Sequence, residues 1–400
     1  MPKLLAPLRS RPFCWLMAGQ ALSMVGDRLN YLALVAVLSE RTARFARAEG
    51  AGALSGLALA LLLPTTLLSP WAAGRIDRWR RRDVLVAADV ARAALTLGLA
   101  AALPALPTPS ALVVVGLGTV ANVFFLPARL ALVPELVSQE ELNPANALGL
   151  LTAVVATVVG MLVGGPLLAW IGARGALAVD GLTFAVSVGT LLQLPRRDAP
   201  PAQARSHWPG ARSFARLFHA ERVAAAALLL WTTWMVGALL HVCGTLRVQA
   251  LSPRVTDLLA PALAALGAGG ALGAAFFGSR LRRARSRLAG AGLVVAAGGL
   301  ALLAVAHQPA WIVAAALVTG FASAPVYILA DTELMECLED DVRGGAMAAR
   351  NFFCKGGFLV VALALGRWSG PGSAAGVLLA GAAGLAALAV YYAARRPLRT

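Results

Sequence analysis

Charged residues are scarce in this chain: Asp, Glu, Lys and Arg together make up 14% of its 400 residues. Hydrophobic residues make up 59%. On a scale that counts glycine and omits tyrosine, the apolar share is about 68%, against about 45–50% in soluble domains. So few polar side chains cannot cover a water-soluble globule of this length. We therefore predict that lipid surrounds most of the chain.

Cysteine and lysine are scarce too, and each scarcity argues against a class of site. The four cysteines show no CxxC spacing, so we predict neither a disulfide framework nor a metal site. The two lysines, Lys3 and Lys355, stand outside any GxxxxGK[ST] loop, so ATP-driven transport by this chain itself is not supported. The sequence also lacks HExxH and GxSxG motifs, which argues against an enzyme, and we expect no cofactor.

The chain does contain hydrophobic runs of transmembrane length. A helix needs about 20 apolar residues to cross a hydrocarbon core. We predict twelve such spans, near residues 12–38, 52–73, 85–104, 109–133, 147–170, 175–194, 223–246, 257–278, 287–306, 309–330, 346–366 and 371–393. The first run is too long for a cleaved signal peptide and carries charge in its middle, so we expect it to remain as a transmembrane helix.

The basic residues are distributed unevenly over the loops that these spans create. The formal net charge is +16. With both termini on one side, the termini, loops and loop edges of that face carry twenty-five of the 35 Lys and Arg residues, and the opposite face carries seven. The other three, Arg28, Arg92 and Lys355, lie deeper within spans. The positive-inside rule then places the termini in the cytoplasm. The basic charge thus orients the protein in a bacterial cytoplasmic membrane, and we predict no nucleic-acid partner.

An internal repeat runs through the sequence. At an offset of 198 residues, Pro127 and Glu135 fall on Pro325 and Glu333. At an offset of 204, the basic loop after span two falls on the basic loop after span eight. Both matches occupy equivalent positions in the order of spans, and duplicated halves are common among secondary transporters.

The repeat and the span count together predict the fold. We expect an all-α integral membrane protein with twelve transmembrane helices in two pseudo-symmetric six-helix bundles. Residues 1–194 would form the first bundle and residues 223–400 the second. Residues 195–222, rich in Pro, Arg and Ala, would form a cytoplasmic linker.

Two motifs carry a resemblance to a known family. The loop from Gly74 to Leu85 contains the pattern DRxxRRxxL between two apolar spans, which resembles the signature loop of the major facilitator superfamily of secondary transporters. The segment LPARLALVPELV, which begins at Leu126, and the Gly26-Asp27 pair of span one are similar to the branch that holds bacterial macrolide and siderophore exporters. In span five, Met161 replaces the proline of the antiporter motif.

The resemblance implies a gating loop after span two. In the family, the loop carboxylate lies near the N-terminus of the eleventh helix, where exposed N–H groups favour an anion. On this basis Asp77 makes a gating contact. The alternative is that the basic run only determines topology, and we interpret Arg80 and Arg82 in that way. The residues assigned to the loop are Gly74, Asp77, Arg78, Arg81 and Arg82.

Charges inside spans cost about 2.5–3.5 kcal/mol each on insertion scales, so each calls for a partner or a function. Asp27 lies near the middle of span one, which in the superfamily lines the transport cavity, and it is the leading candidate for proton coupling. The alternative is a structural role, with Arg28 paired to Asp180. Asp180 and His241 are the next candidates for coupling. Asp89 and Arg92, three residues apart in span three, are predicted to form a structural pair.

Several polar and aromatic residues within spans are candidates for a substrate cavity. Aromatic rings with polar tips suit bulky, partly apolar substrates. Lys355, four residues after Asn351, either extends to the membrane interface or binds an anionic group. The aromatic residues have a plainer alternative in helix packing. The cavity candidates are Arg28, Asn30, Asn122, Trp231, Trp234, Tyr327, Asn351 and Lys355.

These features together predict a secondary transporter that works by alternating access. We expect proton-coupled export of an amphipathic small molecule such as a drug, macrolide or siderophore, by a monomer surrounded by lipid. The first rival is a lysophospholipid transporter, since that family shares the GD pair in span one and a Pro-Ala-basic segment after span four. A membrane sensor or membrane enzyme without transport activity is the rival from another class.

Overall fold

The structure, a computed structural model, describes most of the chain. It covers residues 5–43, 48–76, 79–196, 218, 221–252, 254–277, 285–337, 340–370 and 372–395. Asp77, Arg78 and most of the predicted linker 195–222 lie outside the described residues.

Within this part of the chain, eleven helices are long and apolar enough to cross a membrane. The prediction of an all-helical membrane protein is therefore confirmed. The helices are α1 (Arg11–Ala43), α2 (Ala48–Ile76), α3 (Arg81–Ala102), α4 (Thr108–Leu136), α5 (Leu142–Leu191), α6 (Glu221–Leu251), α7 (Val255–Phe277), α8 (Arg285–Val305), α9 (Pro309–Cys337), α10 (Asp340–Trp368) and α11 (Ala374–Arg395).

Helix α5 accounts for the difference between eleven helices and twelve predicted spans. It has 50 residues, and a straight helix of that length would measure about 75 Å, more than twice the hydrocarbon core. Gly172 breaks it with φ 70° and ψ 175°, a conformation that favours glycine because side chains clash there. The break leaves two arms, 142–171 and 173–191, which at 1.5 Å per residue measure about 45 Å and about 29 Å, so each can make one crossing. Twelve crossings remain a prediction that requires both arms to span.

The contacts divide the chain into two compact units. The first comprises Met1–Val37 and Leu59–His207, and the second comprises Leu38–Ala58 and Trp208–Thr400. The ends of α1 and α2 that meet at residues 38–58 thus belong, by their contacts, to the second unit. The predicted bundle boundaries at residues 194 and 223 remain a prediction.

In the first unit, α1 packs closely against the second arm of α5. A Cβ atom on Gly26 would fall on the carboxylate of Asp180 and the hydroxyl of Thr183, and one on Gly19 would lie 3.2 Å from Oγ of Ser187. Small residues permit this approach, which replaces the hydrophobic effect as a source of cohesion in lipid. The close packing brings the polar residues of α1 beside those of α5.

The second unit uses the same device between α7 and α9. A Cβ atom on Gly269 would lie 2.9 Å from the backbone nitrogen of Phe321, and one on Gly320 would lie 3.1 Å from that of Gly270. Elsewhere in this unit, the buried hydroxyl of Tyr392 in α11 donates a hydrogen bond to the carbonyl of Ala225 in α6. The glycine-rich stretch in span eight is therefore a helix-packing surface.

Candidate functional site

A cavity of about 260 Å³ with a partly polar and partly apolar wall lies inside the first unit. Helices α1 to α5 all contribute to its wall. Aliphatic side chains from α1 to α4 form the apolar part. The polar and aromatic part consists of Asp27, Arg28, Asn30, Tyr31, Thr65, Arg92, Thr96, Thr119, Asn122 and Phe184. Four residues predicted from the sequence, namely Asp27, Arg28, Asn30 and Asn122, thus meet at one site.

Arg92 is the centre of an ion network in this wall. Its Nη2 donates to Oδ1 of Asp27 at 2.6 Å, and its Nη1 lies 3.5 Å from Oδ1 of Asp89. The guanidinium carbon stands 3.9 Å from the ring centroid of Phe184, which covers the group on one face. The Asp89–Arg92 pair is present as predicted, but Arg92 also holds Asp27, which the sequence did not indicate.

The two carboxylates that share Arg92 have different surroundings. The side chain of Asp89 is 0% exposed, and Oγ of Ser187 donates to its Oδ2 at 2.6 Å. The side chain of Asp27 is 40% exposed and lines the cavity. Asp27 is therefore the carboxylate of this network that a ligand or water in the cavity reaches.

Asp180 is buried beside the same network, but its partners differ from the predicted one. Nδ2 of Asn30 donates to Oδ2 of Asp180 at 2.6 Å, and the hydroxyl of Thr183 lies 3.5 Å from Oδ1. The alternative pair of Arg28 with Asp180 is not formed. Residues 28 and 30 are about 200° apart around a helix, so when Asn30 faces α5, Arg28 faces elsewhere.

The gating loop is described only in part. Arg81 pairs with Glu135 and donates to the carbonyl of Ala131 at 2.8 Å. Arg82 donates to the carbonyls of Leu191 at 3.1 Å and Leu192 at 2.7 Å, so it caps the C-terminal end of α5. This contact gives Arg82 a structural role besides the predicted topological one. Gly74 lies in the last turns of α2, and the gating contact of Asp77 remains a prediction.

Three candidates of the second unit share one face of α6 and contact phenylalanines of α10. Trp231 stacks on Phe353, with ring centroids 6.0 Å apart and planes at 29°. The rings of Trp234 and His241 both lie near Phe358, at 6.2 Å and 6.1 Å. These rings form a line of aromatic contacts between α6 and α10. Such contacts are what the helix-packing alternative predicts.

His241 lies in a π turn of α6, Leu240–Gly244. Its Nε2 is 2.9 Å from the carbonyl oxygen of Leu54, within the second unit. A carbonyl only accepts, so Nε2 must carry the hydrogen, which fixes the tautomer. A proton-relay role for His241 remains a prediction.

The remaining cavity candidates lie in the second unit and do not line the cavity of the first. Tyr327 on α9 is exposed. The side chain of Asn351 accepts from Nη2 of Arg350 at 2.7 Å, and Arg350 also pairs with Asp331. Lys355 is partly buried one turn further along α10. The predicted four-residue spacing of Asn351 and Lys355 lies within α10.

Sequence reasoning missed several hydroxyl groups of the site. Tyr31, Thr65, Thr96 and Thr119 line the cavity, and Ser187 supports Asp89. A periodicity argument would have found two of them, because Tyr31 follows Asp27 by four residues and Thr96 follows Arg92 by four, which places each pair on one helix face.

The chain is similar to known proteins along most of its length. The family model of the major facilitator superfamily matches residues 16–362. Uncharacterised MFS-type transporters of Mycobacterium bovis and Mycobacterium tuberculosis are each 28% identical over 371 residues, which cover 86% of this chain and 82% of theirs.

Solved structures agree on the fold. The nucleoside transporter NupG superposes with a TM-score of 0.72 at 17% identity, covering 96% of this chain and 98% of its own. A bacterial homologue of the human lysosomal transporter Spinster gives 0.66 at 14% identity, covering 94% and 93%. These identities show a shared fold only. The matched span and the motifs show that the chain is a multi-pass membrane protein that belongs to the major facilitator superfamily.

Proposed function

We propose that this transporter exports an amphipathic small molecule by alternating access and couples export to protons. The molecule would be of the drug, macrolide or siderophore kind, in keeping with the resemblance to that exporter branch. The protein would act as a lipid-embedded monomer in a bacterial cytoplasmic membrane, with both termini in the cytoplasm. The observation that carries the proposal is the cavity of the first unit, whose wall contains the Asp27–Arg92 ion pair.

The cavity suits a ligand with both apolar and polar parts. Aliphatic residues such as Leu61, Leu95 and Val114 stand in the same wall as Asn122 and the threonine hydroxyls. Its volume of about 260 Å³ is below the roughly 300–1,000 Å³ of pockets that enclose drug-sized ligands. The site of the first unit would therefore hold one part of the substrate.

Asp27 supports the coupling to protons because it is both reachable and paired. Protonation of Asp27 would remove the negative charge that holds Nη2 of Arg92, and would leave Arg92 to Asp89 alone. In the proposed cycle, Asp27 would take up this proton on one side of the membrane and release it on the other. Asp180 has no exposure and is held by Asn30, so it is the second candidate.

A transport assay tests this proposal. A thermal-shift screen with erythromycin, a catecholate siderophore and a lysophospholipid first identifies a ligand, because binding to the folded state raises its apparent stability. We expect Asp27→Asn in proteoliposomes to lose accumulation of that ligand driven by a pH gradient, while ligand binding and counterflow persist. Asp257→Asn, at an exposed position in the first turn of α7, is the matched control.

Accumulation by Asp27→Asn in response to the gradient would rule out Asp27 as the coupling site, and Asp180→Asn would then be measured. Binding without transport in the native protein would favour the sensor alternative, and chemical conversion of the ligand would favour a membrane enzyme.

Transport of a lysophospholipid is the second candidate function. The observation that favours it is a cationic side chain, Arg28, in a cavity wall that also contains aliphatic residues. Such a combination suits an acidic headgroup attached to an apolar chain.

A further inference from the structure

Among the described arginines with a buried Nε that makes no hydrogen bond, Arg28 differs from the others because its remaining guanidinium nitrogens also lack a hydrogen-bonding partner. Four arginines have a buried Nε without a hydrogen-bond partner among the described residues: Arg28, Arg81, Arg129 and Arg247. The last three each donate a hydrogen bond through another guanidinium nitrogen, to Ala131, Gln20 and Ala306. Arg28 makes no hydrogen bond or ion pair to any described residue.

The other charged groups at and beside the cavity each have a hydrogen-bonding partner. Arg92 is shared between Asp27 and Asp89, and Asp180 accepts from Asn30. The Asp27 carboxylate, which would repel an incoming anion, is engaged by Arg92. Arg28 therefore contributes positive charge to the wall that no described carboxylate neutralises by contact. A cation in a membrane span is costly unless it binds a partner or acts in function.

The position of Arg28 is fixed by close packing of its stem. A Cβ atom on Gly160 of α5 would lie 2.9 Å from Cβ of Arg28 and 3.1 Å from its Cγ. The absence of a side chain at residue 160 thus lets the Arg28 stem lie against the α5 backbone. A held stem reduces the entropy that the guanidinium loses on binding, since fewer rotamers have to be frozen.

The Asn122 amide lines the same cavity as Arg28 and can add to the coordination of an anion, because its NH2 group donates hydrogen bonds. The Thr65 and Thr119 hydroxyls of this wall donate to the carbonyls of Leu62 and Val115. Guanidinium groups bind carboxylates and phosphates through two parallel N–H donors, with charge-assisted strength. The aliphatic wall beside these donors suits an attached apolar chain.

We propose that Arg28 binds the anionic group, a carboxylate or a phosphate monoester, of an amphiphilic substrate in the cavity of the first unit. This inference rests on the proposed function and narrows its substrate class to acidic amphiphiles. It assigns to Arg28 direct contact with the ligand, with Gly160 as a positioning residue.

Binding to probes that share one alkyl chain and differ in headgroup tests the assignment. The probes are laurate, dodecyl phosphate, neutral 1-monolauroylglycerol and cationic dodecyltrimethylammonium, and inorganic phosphate reports on the anion alone. Affinity is measured by calorimetry on protein in phosphatidylcholine nanodiscs, with empty nanodiscs as blank. The variants are Arg28→Gln and Arg28→Lys. The control is Arg174→Gln, an arginine of the same unit that donates to the carbonyl of Ala100 and does not line the cavity.

We expect Arg28→Gln to lose about tenfold to hundredfold in affinity for laurate and dodecyl phosphate, the worth of a charge-assisted bond, with unchanged binding of monolauroylglycerol. Arg28→Lys should keep part of the anion affinity, and Arg174→Gln all of it. A preference for dodecyl phosphate over laurate would assign a phosphate headgroup, and the reverse preference a carboxylate. Binding of inorganic phosphate would show that the anion alone suffices.

Two results would overturn the inference: equal losses for the neutral and anionic probes, or tighter binding of the cationic probe than of either anion. If Arg28→Gln does not fold, Arg28→Lys decides through the same comparison of headgroups. The assay needs no proton gradient, so a failure of proton-coupled export leaves it intact. Conversely, gradient-driven export of an uncharged macrolide together with Arg28-independent anion binding would reject this inference alone.

Discussion

At the scale of single residues, Arg92 links the reachable part of the site to its buried part. Removing one partner of a buried ion pair costs about 3–5 kcal/mol, because the remaining charge stays buried without compensation. Exposed pairs are worth about 1 kcal/mol or less. Asp89 is 0% exposed and Asp27 is 40% exposed. The pair of Arg92 with Asp89 therefore matters more for stability than the pair with Asp27, although the Asp27 contact is the shorter.

This difference predicts unequal effects of two substitutions on stability. Arg92→Met leaves Asp89 buried with Ser187 as its hydrogen-bond donor, and we expect it to lower the free energy of unfolding by about 3–5 kcal/mol. Asp27→Asn leaves Arg92 paired with Asp89 and should cost about 1 kcal/mol or less. Thermal unfolding of the purified variants measures both. The double variant Asp89→Asn with Arg92→Met should recover much of the loss, and equal midpoints for the two single variants would contradict the argument.

At the scale of helices, the approach of α1 to α5 decides where the polar groups meet. Gly26 has the carboxylate of Asp180 at the place a side chain would occupy, and Asn30, one turn further along, binds that carboxylate. A wider spacing would separate Asn30 from Asp180 and open the wall of the cavity. The glycine therefore serves the site as well as the packing.

We accordingly predict that Gly26→Ala destabilises the protein by about 1–3 kcal/mol, the usual cost of overpacking. The control is Gly189→Ala, in the arm of α5 against which α1 packs, because nothing lies within 4 Å of its added Cβ. There the higher helix propensity of alanine, about 1 kcal/mol, should leave stability unchanged or raised. Thermal unfolding compares the two variants. If Gly26→Ala unfolds at the same temperature as Gly189→Ala or at a higher one, α1 can move away from α5 without loss of stability, and the prediction is wrong.

The helices also bear on the repeat detected in the sequence. Glu135 and Glu333, which match at an offset of 198, lie near the C-terminal ends of α4 and α9. Each accepts from an arginine: Arg81 in the first unit and Arg222 in the second. The two arginines do not match in the repeat, because Arg81 lies at the start of α3 and Arg222 at the start of α6. The position of the carboxylate is therefore repeated, whereas the position of its arginine partner is not.

For the whole molecule, the sequence predicted the fold class because lipid imposes a simple rule. Every backbone polar group must be satisfied within the membrane, so long apolar runs must be helices. The motif after α2 and the segment from Leu126 then predicted the superfamily. Asp27 was predicted as a coupling residue from the position of its helix along the chain, and Asn122 was predicted as a cavity residue because it is polar within a span. Both line the cavity.

The partners within the site could not be predicted, because they depend on how the helices rotate about their axes. Spacing along one helix predicted the pair of Asp89 and Arg92. The bonds of Arg92 to Asp27 and of Asn30 to Asp180 join different helices, so spacing could not predict them. The break at Gly172 could not be predicted either, because the sequence does not distinguish a glycine with positive φ from the other glycines of an apolar run.

The orientation of the molecule follows from charge and is open to a direct test. Twenty-five basic residues on one face against seven on the other predict cytoplasmic termini and a cytoplasmic 195–222 segment. By the same rule Ser110, exposed at the start of α4, faces the outside. Single cysteines at Ser206 and Ser110 would be placed in a background without Cys14, Cys243, Cys337 and Cys354. A membrane-impermeant maleimide added to intact cells should label Ser110→Cys, and label Ser206→Cys only after the cells are opened. Labelling of Ser206→Cys alone in intact cells would invert the orientation and make the proposed direction of export untenable.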